Sequence, residues 1–198
     1  MSYLDEGTLN PDDFAPLQAL KREYGFLPRF FGAQGLRPDL IEAEVTLIDA
    51  ILIKQGALTR KRKEYIFLVC SAANLSTYCV SAHCEIVRML GLEGPEPEQI
   101  ALNYLDADLP MTDRALLNYA CKLNDNPTRV SGKDIDTLRR YGFTDEEILE
   151  TVVLVGLVKF ANFVSFGLGA EPDFETSKLH FLEERQQRLG RDAARSAD

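Results

Sequence analysis

Residues 61–83 read KRKEYIFLVCSAANLSTYCVSAH, and the way this stretch divides sets the architecture of the chain. Lys61 to Ala73 has the composition of an apolar helix, Asn74-Leu75-Ser76 is a short turn, and a second helix follows. A connection this short makes the two helices antiparallel neighbours. Ser76 is a good N-cap, which places Cys79 in the first turn, where the positive end of the macrodipole favours a thiolate. Cys79 and His83 stand at i and i+4 and share a helix face, so the imidazole can take the thiol proton. The thiolate is the reactive form of cysteine. Glu64 and His83 lie at similar distances from the turn, at about 1.5 Å per residue along each helix. The carboxylate can therefore face the imidazole and fix its tautomer, completing a nucleophile, base and orienter set. The bland alternative, a packed cysteine beside a hydrogen-bonded core histidine, stays open.

Working outward, the remaining chain is helical nearly throughout. The patterning predicts helices near 16–24, 38–56, 60–73, 77–91, 96–105, 112–124, 131–141, 145–167 and 174–189. Thr112, Ser131 and Thr144 are N-cap candidates, and Gly91, Gly94 with Pro95, Gly142 and Gly190 are stops. Strand-like alternation is hardly present, so an all-α bundle follows. Residues 1–15 read as an N-terminal arm, 16–172 as the folded domain, and 173–198 as a C-terminal helix with a frayed tail. Leu58-Thr59 and the acidic, then apolar run after it resemble Phe143-Thr144 and the run through Glu150 to Ala161. Two degenerate helical repeats are one reading of that likeness.

Composition bounds the function. The 198 residues, 45% hydrophobic, suffice for one buried core. A net charge of −9 argues against nucleic acid or an anionic membrane surface as partner. Lys61-Arg62-Lys63 is short and reads as a solvated face. The apolar run Ile148 to Leu168 is interrupted by Glu150, Gly156, Lys159, Asn162 and Gly167, so it reads as a buried helix and not a membrane span. Four cysteines without regular spacing make no disulfide framework. With no signal-peptide pattern, a cytoplasmic location is expected.

The order glutamate, eleven residues, Cys-x-x-Cys, three residues, histidine resembles the signature of the alkylhydroperoxidase D-like (carboxymuconolactone decarboxylase) superfamily. Glu64, Ser76-Thr77-Tyr78-Cys79 and His83 keep that spacing. The chain looks like the uncharacterised peroxidase-related branch. The likeness includes Tyr24-Gly25-Phe26-Leu27-Pro28-Arg29-Phe30-Phe31, Arg37-Pro38-Asp39-Leu40 and Leu58-Thr59, and extends more loosely to Pro172. The resemblance implies a thiol-dependent peroxidase with Cys79 as nucleophile and a His83/Glu64 proton relay. No cofactor or metal is called for. Homo-oligomers, trimers or hexamers among them, are common in the superfamily. Ser76 occupies the first cysteine position, so a disulfide cannot close within the motif.

Cys84 does not replace it, because five residues along a helix put its Cα about 8 Å from that of Cys79, beyond unstrained disulfide reach. Cys70 and Cys121 lie in apolar runs and read as core. The simplest cycle is then one-cysteine: a hydroperoxide substrate converts Cys79 to a sulfenic acid, and an external thiol reduces it. Tyr24, Phe26, Pro28, Phe30 and Phe31 form core, a subunit interface or an apolar wall beside the thiol. Ser76 and Tyr78 are auxiliary candidates, Tyr78 through a hydroxyl near the sulfur or through packing alone. A non-redox, decarboxylase-like enzyme using His83 and Glu64 is one alternative, and a thiol sensor without turnover is another. Tyr3, Leu4, Leu9 and Phe14 of the arm, with Leu179, Leu182 and Leu189 near the C-terminus, lack an obvious place in the bundle and suggest subunit contacts.

Overall fold

The computed structural model describes residues 2–4, 14–182 and 184–185. Within them the helices are α1 (Ala15–Tyr24), α2 (Arg29–Gly32), α3 (Pro38–Ile48), α4 (Arg60–Ala73), α5 (Thr77–Met89), α6 (Pro97–Asn103), α7 (Met111–Asp125), α8 (Gly132–Arg140) and α9 (Asp145–Leu168). The described residues contain no strand, and the all-α expectation holds.

α4 is the central helix, with α5, α6, α7 and α9 packed against it. Every residue from Lys63 to Ala72 is buried, as expected for a helix enclosed on all sides. The surrounding sequence explains its tolerance for charge. Lys63, 1% exposed, donates from Nζ to the Lys54 carbonyl at 3.1 Å and lies 3.8 Å from the Glu150 carboxylate. Arg62 pairs with Asp113 at 2.8 Å and lies over the Phe143 ring. The basic cluster is therefore not the solvated face predicted: Lys63 is bonded inside the bundle and half-buried Arg62 ties α4 to α7 at its edge. A long aliphatic stem allows this when the charged end finds a carbonyl or carboxylate.

α9 starts at a capping box, in which the Thr144 hydroxyl accepts from the Glu147 amide and the Glu147 carboxylate accepts from the Thr144 amide. Ser131 caps α8 in the same manner. Thr112 caps nothing, because α7 begins one residue earlier, after Pro110. By length and apolarity α9 would suffice to cross a bilayer. Here it packs one face against α4, α5 and α7. Glu150, read above as an interruption, accepts from the Ala57 and Leu58 amides at 2.8 Å each and pins the loop before α4. A Cβ at Gly56 would collide with that carboxylate, so the close approach requires glycine there.

Three other boundaries depart from the patterning. α3 stops at Ile48 and continues as a π-helical turn, Asp49–Ile53. α2 was not anticipated, since four residues show no periodicity. Near the C-terminus a 3-10 turn, Ser177–Leu179, leads into helical residues 180–182. Leu179 and Leu182, 2% and 0% exposed, are buried in their own chain's core, contrary to the expectation of subunit contacts. Of the arm, Phe14 packs against the core, while Tyr3 and Leu4 remain exposed beside the end of α9. Leu9, Leu189 and Gly190 lie outside the described residues.

Candidate active site

The turn between α4 and α5 builds the site. Leu75 adopts φ 63°, a left-handed conformation costly for a branched side chain. The next amide, that of Ser76, bonds back to the Ser71 carbonyl. Ser76 Oγ, 1% exposed, accepts from the Cys79 amide at 3.4 Å, so Ser76 is the N-cap and Cys79 lies in the first turn. That part of the sequence reading stands. The antiparallel pairing follows too: His83 Nδ1 and Glu64 Oε2 are 2.6 Å apart.

Glu64 is fully buried, and its other oxygen accepts from Arg60 Nε at 2.7 Å. Burial alone would push this carboxyl up, but His83 and Arg60 outweigh it and hold Glu64 below the usual carboxylate range. With Glu64 ionised, Nδ1 carries the proton and Nε2 is the basic nitrogen left to the cavity that His83 lines. Phe67 stacks on the imidazole at 3.6 Å and fixes its plane.

Cys79 differs from expectation in one respect. Its sulfur makes no hydrogen bond to His83; the neighbour of Sγ is Ser165 Oγ on α9, at 3.9 Å. The Glu64 bond and the Phe67 stack hold the imidazole to α4, away from direct contact with the sulfur. Burial pushes the Cys79 thiol up, against hydrogen bonds from Ser76, Asn162 and Ser165 that pull it down. Helix start and polar neighbours thus fall short of making a resting thiolate. A base is needed to form one.

Cys79, Ala82 and His83 line a cavity of about 80 Å³ walled by Tyr24, Phe26, Pro28, Phe30 and Phe31 and floored by Leu157 and Ala161 of α9. The aromatic segment is the apolar wall. Tyr78 secures it: its hydroxyl donates to Asp173 Oδ2 at 2.5 Å and accepts from the Phe30 amide at 3.1 Å. The hydroxyl is therefore committed away from the sulfur, and Tyr78 acts as an anchor. Cys84 is buried, its thiol pushed up to about 12 by desolvation first. Cys70 and Cys121 are within hydrogen-bonding reach of each other, and neither bonds to Cys79. Among the described residues no group of three or more His, Cys, Asp or Glu side chains is placed to hold a metal ion.

Sequence reasoning missed Asn162, Ser165, Asp173 and Glu44. Asn162, 1% exposed, donates to Ser71 Oγ and accepts from Asn74, which ties α9 to the α4–α5 turn behind the sulfur. Asn162 and Ser165 were visible only as polar residues one turn apart in an apolar helix. Glu44, on α3, is 5% exposed and lines the same cavity as Cys79.

This geometry has solved counterparts. An alkylhydroperoxidase AhpD core protein, an uncharacterised peroxidase-related protein from Ralstonia eutropha JMP134, is 32% identical over 86% of this chain and 90% of its own, with a TM-score of 0.77. A peroxidase-related protein from Silicibacter sp. TM1040 shares the fold at 24% identity, covering 88% of this chain and 93% of its own, with a TM-score of 0.78. The debrominase Bmp8, solved in complex with 2,3,4-tribromopyrrole, does so at 21% identity, over 93% of this chain and 99% of its own, with a TM-score of 0.75. No protein-family model matches the chain, and neither does any curated protein. The chain belongs to the alkylhydroperoxidase D-like superfamily. The fold is shared by a debrominase as well as by peroxidase-related proteins, so the fold alone does not name a reaction.

Proposed function

We propose that the protein is a thiol-dependent peroxidase in which Cys79 attacks a hydroperoxide, His83 is the base and Glu64 orients it. The observation that carries this reading is the cavity: one cysteine and one carboxylate-oriented histidine open together onto an apolar, aromatic-walled space. His83 takes the Cys79 proton through Nε2, across an oxygen of the substrate or of a single water, and catalytic bonds of this kind tighten when substrate is bound. The thiolate attacks the terminal peroxide oxygen, the O–O bond breaks, and the sulfur becomes a sulfenic acid as an alkoxide departs. With Ser76 in the first cysteine position and no other cysteine bonded to Cys79, an external thiol completes the cycle. A first thiol forms a mixed disulfide and releases water; a second releases Cys79 and a disulfide product.

The space is smaller than the roughly 150 Å³ cavity that takes up benzene, so a small alkyl hydroperoxide fits most directly. The debrominase of the same fold supports a second reading, in which the Cys79 thiolate takes bromine from a small brominated aromatic ring as a sulfenyl bromide while the ring carbon takes a proton, and an external thiol then expels bromide and, with a second thiol, restores Cys79.

Brief peroxide exposure with a sulfenic-acid trap, followed by peptide mass spectrometry, tests the first reading. Label confined to Cys79, and steady peroxide consumption with added thiol that Cys79→Ser abolishes, is the expected outcome. Label without turnover would make the protein a thiol sensor. An inert Cys79 would return the site to acid–base chemistry by His83 and Glu64.

A further inference from the structure

Glu44 is a carboxyl group in a place that disfavours charge. It projects from α3 among Phe30, Phe31, Ile48 and Leu52, which line the same cavity. Oε2 accepts from Gln34 Nε2 at 3.0 Å, whereas Oε1 is buried with no partner in the protein. A structural carboxyl of this burial would have both oxygens bonded. An unpartnered oxygen on a residue that lines the cavity shared with Cys79 and His83 is free to bond a polar group of a ligand.

We propose that the Glu44 carboxyl is the acid that protonates the group expelled when Cys79 attacks. This rests on the thiol-peroxidase reading above. Thiolate, hydroperoxide and the Glu44 carboxylic acid give sulfenic acid, alcohol and the Glu44 carboxylate. The S–O bond forms, the O–O bond breaks, sulfur is oxidised as the peroxide is reduced, and the proton passes from Glu44 to the departing oxygen. Electrostatics favour this order. Burial is the first cause that raises the Cys79 thiol and a charge on Glu44 adds to it, so a thiolate and a Glu44 carboxylate disfavour each other in this apolar space. The negative charge leaves sulfur as it arrives on Glu44, and they never coexist. Burial pushes Glu44 up to about 7, Gln34 pulling slightly the other way, so the acid form is present near neutral pH. The other titratable groups on this cavity are Tyr24 of α1 and Tyr78, Cys79 and His83 of α5; α4 and α9 contribute only Phe67, Leu157 and Ala161.

The test compares three reagents on the whole protein, in wild type and Glu44→Gln. tert-Butyl hydroperoxide expels a strongly basic alkoxide, peracetic acid expels acetate, and iodoacetamide expels iodide, which takes no proton. Glu44→Gln should slow Cys79 oxidation by tert-butyl hydroperoxide roughly a hundredfold, the effect of losing a positioned acid. Below about pH 7, where Glu44 is already uncharged, oxidation by peracetic acid should fall by no more than about threefold, and alkylation should be unchanged. The wild-type rate ratio of hydroperoxide to peracid should drop as pH rises through about 7, and Glu44→Gln should lose that limb. Gln34→Leu, which keeps the carboxyl but removes its partner, should move the limb to higher pH. Equal slowing with all three reagents, no slowing, or a limb unmoved in Gln34→Leu would each overturn the proposal. If wild-type Cys79 is alkylated but oxidised by neither peroxide, the peroxidase reading itself fails and this role falls with it.

Discussion

At the scale of single residues, the site is governed by how burial is answered. Glu64 and Glu44 are both enclosed, yet Glu64 is held ionised by Arg60 and His83 while Glu44 meets only Gln34. Their pH behaviour is therefore opposite. Glu64 binds its proton less tightly folded than unfolded, so its stabilisation is lost as pH falls through its lowered value. Glu44 binds its proton more tightly folded: its stabilisation is complete below 4.5 and is lost as pH rises through about 7. The difference corresponds to up to about 3 kcal/mol. Glu44→Gln should thus be more stable than wild type above pH 7, by an amount approaching that figure, with the gap closing near pH 4.5. Urea denaturation midpoints at several pH values measure it, and a gap independent of pH would mean that Glu44 is ordinary in its titration.

At the scale of elements, the start of α5 and the anchor of the aromatic segment make separate predictions. Ser76 as N-cap and Cys79 three residues on have Cβ atoms about 5–6 Å apart, close enough for a disulfide after a small adjustment. Ser76→Cys should therefore close a 76–79 disulfide on oxidation and accept dithiol reductants, with peptide mapping as the check. Absence of that bond would mean the helix starts differently in solution. Tyr78→Phe removes the bond to Asp173 and leaves the Phe30 amide without an acceptor. The expected cost is about 1–3 kcal/mol, read as a shift in thermal midpoint. Because Phe30 lines the cavity, this variant should also weaken discrimination among hydroperoxides of different size.

At the scale of the whole molecule, α9 faces two ways. Its buried face brings Asn162 and Ser165 to the sulfur, while Leu149, Val152, Phe160, Phe163 and Phe166 stand 62%, 38%, 46%, 70% and 47% exposed. Phe160, Phe163 and Phe166, three residues apart, form an apolar stripe along the second half of α9, with Leu149 and Val152 a separate pair near its start; Tyr3, whose amide bonds to the Leu168 carbonyl, extends the stripe. Soluble monomers rarely leave such a stripe uncovered. A homo-oligomer joined through α9 is the expected state, in place of contacts through Leu179 and Leu182. Light scattering behind size exclusion should show the oligomer for wild type and smaller species for Phe163→Glu. A wild-type monomer at micromolar concentration would reject it.

The helices with strong local signals were legible from residues alone: apolar periodicity, the caps at Ser76, Ser131 and Thr144, and the short turn that makes α4 and α5 antiparallel. The Glu64–His83 contact was legible for the same reason, since one turn and two regular helices determine it. What lay beyond reach depends on packing between distant segments. Asn162 and Ser165 reach Cys79 because α9 crosses the α4–α5 pair, and Tyr78 turns from the sulfur because residue 173 returns to meet it. Glu44 is invisible as a special residue until α3 places it against the same cavity. The cysteine shows the same division. Helix position and neighbours at i+4, read locally, favour a thiolate; the tertiary structure removes water from around the sulfur, and desolvation of a charge outweighs a helix dipole. Sequence determined which groups could react, and the enclosure made by folding decided in which protonation state they wait.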